Sequence, residues 1–347
     1  MGIRAFKYLS VLSIPLAVFF SFTGTGMICF LPLIYAFVII PLLELTLGKN
    51  ANNLNQVQED LARSNKLYDF VLYSIVPIHF GFLFWFFYAI QEPDLSFIDQ
   101  IGRTSAMGLL CGLFGINVAH ELGHRATKWE QGMSKLLLLS TQYTHFFIEH
   151  NEGHHKNVCT PEDPATAKLN ENVYAFYLRS IFLSYRSAWM IEMKRLKRKK
   201  KSSFSLENRM IQMSLTQVLF CAVVVLVFGW MVLMWYLLAA LFGILLLETI
   251  NYIEHYGLSR IKVSEFRYED AGVQHSWNSD HTLGRLMLYE LSRHSDHHAH
   301  PNRKYQILRH HDDSPQMPTG YPGMMVIAAF PPLWFAIINP KIKALSK

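Results

Sequence analysis

Charge is scarce in this 347-residue chain: Asp, Glu, Lys and Arg make up only 17%, against 51% hydrophobic and 14% aromatic residues. That balance excludes an average soluble domain. Cysteine is scarcer still. Cys29, Cys111, Cys159 and Cys221 form no C-x-x-C pair, so the chain offers neither a dithiol redox site nor a ligand set for an iron–sulfur cluster. Three of the four lie in apolar runs, where thiols are ordinarily buried and inert. No electron-transfer centre of the chain's own is visible. Internal repeats and low-complexity segments are lacking too, as is a separate basic domain. A net charge of +6 therefore points to anionic lipid or an acidic protein, and away from nucleic acid.

Long apolar runs are plentiful. They predict an all-α integral membrane protein with six spanning helices, at about 9–22, 27–47, 70–90, 104–119, 210–233 and 234–252. The first run follows Arg4 and Lys7 like a signal peptide, but no A-x-A-like cleavage site follows it, so it reads as a retained helix. A Thr23-Gly24-Thr25-Gly26 turn, a polar loop from Gly48 to Asp69 and an acidic connection from Gln91 to Gln100 separate the first four helices. The chain is thus expected to be one membrane domain over 1–347. Spans one to four fill about 9–119, a polar insertion 120–210, spans five and six 210–253, and a C-terminal part 254–347. The insertion ends in Met190–Lys201, dense in Lys and Arg and preceded by Phe176, Tyr177, Ile181, Phe182, Tyr185 and Trp189. That pattern predicts an amphipathic helix on a membrane surface. Tyr321–Pro340 is also apolar, but Pro331-Pro332 in its middle argues against a seventh span and for a packing segment.

Placing the N-terminus inside puts every one of the 32 Lys and Arg residues on the cytoplasmic side except Arg103. The positive-inside rule favours that arrangement. The same topology gathers the histidine-rich segments on that side, together with both chain ends.

The histidines carry the chemistry. Of sixteen, nine fall in four places: His120 and His124; His150, His154 and His155; His255; and His294, His297 and His298. Spacings of i, i+4 and i, i+3 turn imidazoles to one face of a helix, where they share a metal. Nine neutral nitrogen ligands are too many for one ion and suit two. Imidazole serves iron, zinc and copper alike, so the ligands do not name the element. Glu121, Glu149, Glu254 and Asp296 lie beside these histidines and are candidates for accepting a ring N–H, which would fix tautomer and orientation. His120–His124 also spells H-E-L-G-H, the form of a zinc protease motif. Such a protease has no use for the remaining clustered histidines. A non-enzymatic metal-binding or transport protein is a further alternative, though few polar residues interrupt the spans to make an ion path.

These segments, H-E-L-G-H-R, E-H-N-E-G-H-H, N-Y-I-E-H-Y-G-L and R-H-S-D-H-H-A, resemble the signature boxes of the integral-membrane alkane monooxygenases. The resemblance extends to Thr160–Ala165, His275–Asn278 and Pro318–Gly323. It departs at Leu291-Ser292, where Leu-Gln is usual, and at Glu44, where aspartate is usual. The resemblance implies two non-haem irons held by the nine histidines and O2 as co-substrate. It implies terminal hydroxylation of medium-to-long-chain n-alkanes to 1-alkanols, in a bacterial inner membrane. It also implies rubredoxin, with its flavin-dependent reductase, as electron donor, in keeping with the missing internal redox centre. Xylene-type methyl hydroxylases and lipid desaturases are the neighbouring alternatives.

Overall fold

The computed structural model describes residues 2–265 and 267–345. Met1, Ser346 and Lys347, the chain ends expected on the inner side, lie outside the described residues. Six helical stretches among the described residues are long and apolar enough to cross a bilayer: Phe6–Thr23, Gly26–Leu47, Lys66–Ala89, Phe97–Gly123, Arg209–Phe228 and Trp230–His255. The protein is mostly helical, multi-pass and apolar on its helix surfaces, because backbone polar groups in hydrocarbon must be satisfied within each segment. The one sheet among the described residues, Lys262–Ser264 paired antiparallel with Arg267–Tyr268, was not anticipated from sequence.

Several span boundaries differ from expectation, and the expected polar loop Gly48–Asp69 instead holds a helix, Gln56–Ser64, and the start of the third span at Lys66. The fourth helix starts at Phe97, not near residue 104, because its charged first turn is a cap. The Ser96 hydroxyl accepts from the Asp99 amide at 3.2 Å and the Asp99 carboxylate accepts from the Ser96 amide at 3.3 Å, a capping box. Arg103 then sits inside the helix and donates to the Ala89 and Gly24 carbonyls, at 2.6 and 3.0 Å, and to Glu92 at 2.6 Å. The fifth and sixth helices part at Gly229, four or five residues before the expected break, where a φ of 88° requires a residue without Cβ.

The chain divides into two compact units. One comprises Met1–Ile39, Ser64–Phe147 and Glu192–Leu247. In lipid, helices gain nothing by trading one hydrocarbon for another, so they pair through close packing at small residues. The fourth span carries that device. A Cβ on Gly102 would lie 2.5 Å from the Cys29 Cβ, and one on Gly108 would lie 2.5 Å from a ring carbon of Phe242. Reciprocally, a Cβ on Gly243 would meet that of Cys111 at 2.6 Å. Aromatic edges fill the rest of this unit, with ring centroids of Phe22 and Trp85 5.4 Å apart and of Phe87 and Phe228 5.0 Å apart.

The other unit comprises Ile40–Arg63, Ile148–Ile191 and Glu248–Lys347. Its core is aromatic but tied by hydrogen bonds. Buried Trp334 packs tilted against Tyr252 and edge-to-face against Tyr256, centroids 5.2 and 5.3 Å away. Trp277 donates from its indole to the Tyr256 carbonyl at 3.1 Å, and Tyr321 donates to the Trp277 carbonyl at 3.0 Å. Glu44 is buried here, accepting from the Gly284 amide at 2.7 Å, and no side chain at Gly320 would clear it. The C-terminal apolar stretch forms two helices, Tyr321–Ala328 of 8 residues and Pro331–Leu345 of 15 residues. Both are shorter than the roughly 20 residues a span needs. Pro331 opens the second helix, where its missing N–H costs nothing.

Candidate metal centre

Seven of the nine clustered histidines belong to the second unit, and three local devices aim them. The sixth span delivers His255 as its last helical residue, and Gly257, at a φ of 68°, turns the chain away. Glu149–His154 forms a π-helical turn. Its wider winding brings residues four and five apart onto one side. His150 and His155 accordingly meet nitrogen to nitrogen at 3.0 Å, which the α-helical spacing read from sequence did not foresee. The helix His294–Ala299 supplies His294, His297 and His298. Its start is pinned from His275–Asn278: the Ser295 amide donates to the Asn278 side chain at 2.8 Å and the Ser295 hydroxyl to the Ser276 carbonyl at 2.9 Å.

Two groups result. His154, His255, His294 and His298, all buried, place a ligand atom each within 4.8 Å of one another, and so do His150, His155 and His297. In the first unit His120 and His124 stand side by side at the C-terminal end of the fourth span, ring centroids 4.9 Å apart.

The hydrogen bonds of the first group test whether it fits a cation. His154 Nδ1 lies 2.9 Å from Asp163 Oδ2, and His255 Nδ1 lies 3.1 Å from the His275 carbonyl. Both acceptors take a proton from Nδ1, so in the neutral rings both Nε2 atoms carry a lone pair. His294 Nε2 has three neighbours at once: His255 Nε2 at 3.2 Å, His298 Nε2 at 3.0 Å and Glu254 Oε2 at 3.1 Å. One N–H satisfies only one of them. Lone pairs converging in a buried space without enough protons to separate them suit a metal ion. Neutral imidazoles with a carboxylate nearby suit a transition metal in particular.

Asp163 is the orienting residue that sequence spacing missed. It lies nine residues beyond His154, in a turn closed by its own Oδ1 accepting from the Ala165 amide at 3.1 Å. Burial alone would raise its pKa, but His154 and the Thr166 hydroxyl, 2.6 Å from Oδ2, hold it below the ordinary carboxylate range. The four carboxylates singled out from sequence differ in what they touch. Asp296 is taken by Arg303 at 2.5 and 2.7 Å, the Arg309 amide at 2.9 Å and His311 at 2.8 Å. Glu121 pairs with Arg125 at 2.7 Å, within an ion network that also holds Asp69. Glu149 is buried, and burial together with the neighbouring Asp163 pushes its pKa up. Glu254 does reach a clustered ring, but at the Nε2 that faces the other nitrogens, on the side where a metal would lie.

Comparison with known proteins agrees with this chemistry. Residues 103–328 match the fatty acid desaturase family. Alkane 1-monooxygenase 1 of Alcanivorax borkumensis is 40% identical over 323 residues, covering 93% of this chain and 80% of that protein. Alkane 1-monooxygenase of Acinetobacter baylyi is 39% identical, covering 88% and 74% respectively. The xylene/toluene monooxygenase hydroxylase component of Pseudomonas putida is more distant, 26% identical over 79% of this chain and 74% of its own length. The chain is a member of the alkane 1-monooxygenase family, within the fatty acid desaturase fold family.

Proposed function

We propose that this protein hydroxylates the terminal carbon of medium-to-long-chain n-alkanes to 1-alkanols in a bacterial inner membrane, at two non-haem irons on its cytoplasmic side. The observation that carries the reading is the convergence of histidine lone pairs at the end of a membrane span, in a chain akin to alkane 1-monooxygenases. His154, His255, His294 and His298 would hold one ion. His150, His155 and His297 would be ligands of the other. Iron held there would supply activation of O2, which side chains alone cannot provide.

The residues of the chain supply the rest. Asp163 and the His275 carbonyl keep His154 and His255 in the metal-binding tautomer. Glu254, against His294 Nε2, is placed to move a proton or to join the ligands. An alkane has no acidic proton and no hydrogen-bonding group, so it is held by shape among apolar helices after partitioning into lipid at ~0.8 kcal/mol per CH2. One oxygen atom would enter the alcohol and the other leave as water, which consumes two electrons and two protons. Rubredoxin, reduced by its flavin enzyme, is the donor, and the basic cytoplasmic face steers so acidic a partner. The lopsided distribution of Lys and Arg supports the orientation.

The test is purified protein with iron, rubredoxin and reductase, offered octane, xylene and acyl lipid in parallel. The expected product is 1-octanol. Preferential oxidation of the aromatic methyl group, or desaturation of the acyl chain, would move the protein to a neighbouring activity. Bound zinc with peptide cleavage would overturn the oxygenase reading altogether.

A further inference from the structure

The helix Val173–Arg198 ends in seven cationic residues between Lys194 and Lys201 with no acid among them, and the fifth span opens at Arg209. The hinge between the two helices is built. Buried Glu192 accepts from Arg195 Nε and Arg209 Nε, both at 2.7 Å, and Lys201 pairs with Glu207. The Asn208 side chain closes the turn by donating to the Ser203 carbonyl at 2.6 Å, while its Oδ1 caps Met210 at 2.8 Å. Lys194, Lys197, Arg198, Lys199 and Lys200 remain exposed. This same turn holds out two large apolar side chains, Phe204 at 85% and Leu206 at 74% exposure.

We propose that residues 194–206 form a binding site for anionic phospholipid: the five exposed cations take headgroup phosphates while Phe204 and Leu206 enter the acyl boundary. The proposal rests on the membrane reading of the chain, not on its reaction. Leu206 stands three residues before Arg209, so by chain length it lies within ~10 Å of the start of a span. Apolar tips at that depth meet lipid, and cations beside them meet the phosphate layer. Along the same helix Leu178, Phe182, Tyr185 and Met193 are exposed and fall within an arc of about 100° at 3.6 residues per turn, an apolar stripe parallel to the surface. Phe176, expected on that stripe from sequence, is instead core. An acidic protein would neutralise the same cations but would leave Phe204 and Leu206 without a reason to be held out.

The experiment uses the full-length chain. Native mass spectrometry after titration with phosphatidylglycerol or phosphatidylcholine should show preferential retention of phosphatidylglycerol. Changing Lys194, Lys197, Arg198, Lys199 and Lys200 together to Gln should lower that retention about tenfold or more. Changing the four lysines to Arg should leave it intact, which separates loss of charge from loss of fold. A Phe204→Trp variant in phosphatidylglycerol vesicles should be quenched by brominated acyl chains beyond its parent. Unchanged retention in the Gln variant, or an unquenched indole, overturns the proposal. So does a Gln variant that keeps phosphatidylglycerol yet loses affinity for an acidic protein such as rubredoxin.

Discussion

Helices in the first unit meet at glycine; segments in the second meet at hydrogen bonds. Gly102, Gly108 and Gly243 let backbones approach until no further carbon fits, although this unit also buries polar groups, among them Arg103, a His79–Ser140 pair at 2.8 Å and Arg125 with Glu121 and Asp69. Asp163, Asn278, Ser295 and the His275 carbonyl are instead buried and paired, each fixing a ring or the helix that carries one. Shape complementarity in lipid is forgiving in direction and unforgiving in volume. A hydrogen-bond frame is the reverse, since it tolerates a change of size better than a change of donor count. The contrast suits a molecule that admits a featureless hydrocarbon and yet must hold metal ligands to a fraction of an ångström.

The sharpest way to break that contrast is at His255. His255→Ala removes the nitrogen that the sixth span brings to His294 at 3.2 Å. The expected outcome is loss of metal from the four-histidine group and product below detection, measured as iron per chain and 1-alkanol from octane. Retained iron and normal turnover in a folded variant would refute the ligand assignment.

Asp163 comes next. Replacing it by Ala leaves His154 Nδ1 without its acceptor in a buried site, and metal affinity is expected to fall by about 10–100-fold. Asp163→Asn keeps an acceptor of similar shape without the charge and should fall between the two. Competition with a chelator gives the numbers, and thermal unfolding of both variants tells orientation apart from damage. If Ala and Asn behaved like the parent in metal affinity, the hydrogen-bond frame would not be what holds the ligands.

These two residues also mark what could be read in advance. His255 was legible because it ends a long apolar run within the N-Y-I-E-H-Y-G-L segment, and the structure brings it to His154, His294 and His298. The six spans followed from composition and periodicity. Asp163 was not legible, since a π-helical turn and a tight loop bring it to His154, and neither leaves a periodic trace. At Asp296, adjacency to the clustered histidines gave no sign that Arg303, the Arg309 amide and the ring of His311, all farther along the chain, would meet it. The start of the fourth span was hidden for a related reason. Asp99 and Arg103 look like a loop until the Ser96 cap and the carbonyls of Gly24 and Ala89 are in place.

The glycine side of the comparison is tested at Gly108. Its Cβ would stand 2.5 Å from Phe242, so Gly108→Leu should destabilise the fold by ~1–3 kcal/mol through overpacking. The expected signature is a lower Tm in detergent with metal content per folded chain unchanged. A loss of metal at unchanged Tm would mean that the packing of this span sets the ligands directly.

The smallest effect is expected at one ionic pair of the glycine-packed unit. Arg103 is buried and Glu92 is half exposed, and their 2.6 Å contact invites the idea that the pair anchors the helix ends. Physical reasoning weighs against it. The guanidinium already donates to the Ala89 and Gly24 carbonyls, so removing the charge of Glu92 leaves it hydrogen-bonded. A pair with one partner in water contributes less than ~1 kcal/mol. Glu92→Gln should therefore shift the unfolding midpoint barely, whereas Arg103→Met, which strands two carbonyls, should shift it measurably more. Equal shifts would show that the ion pair, and not the arginine's backbone bonds, closes this end of the bundle, and the first unit would then depend on polar pairing as the second does.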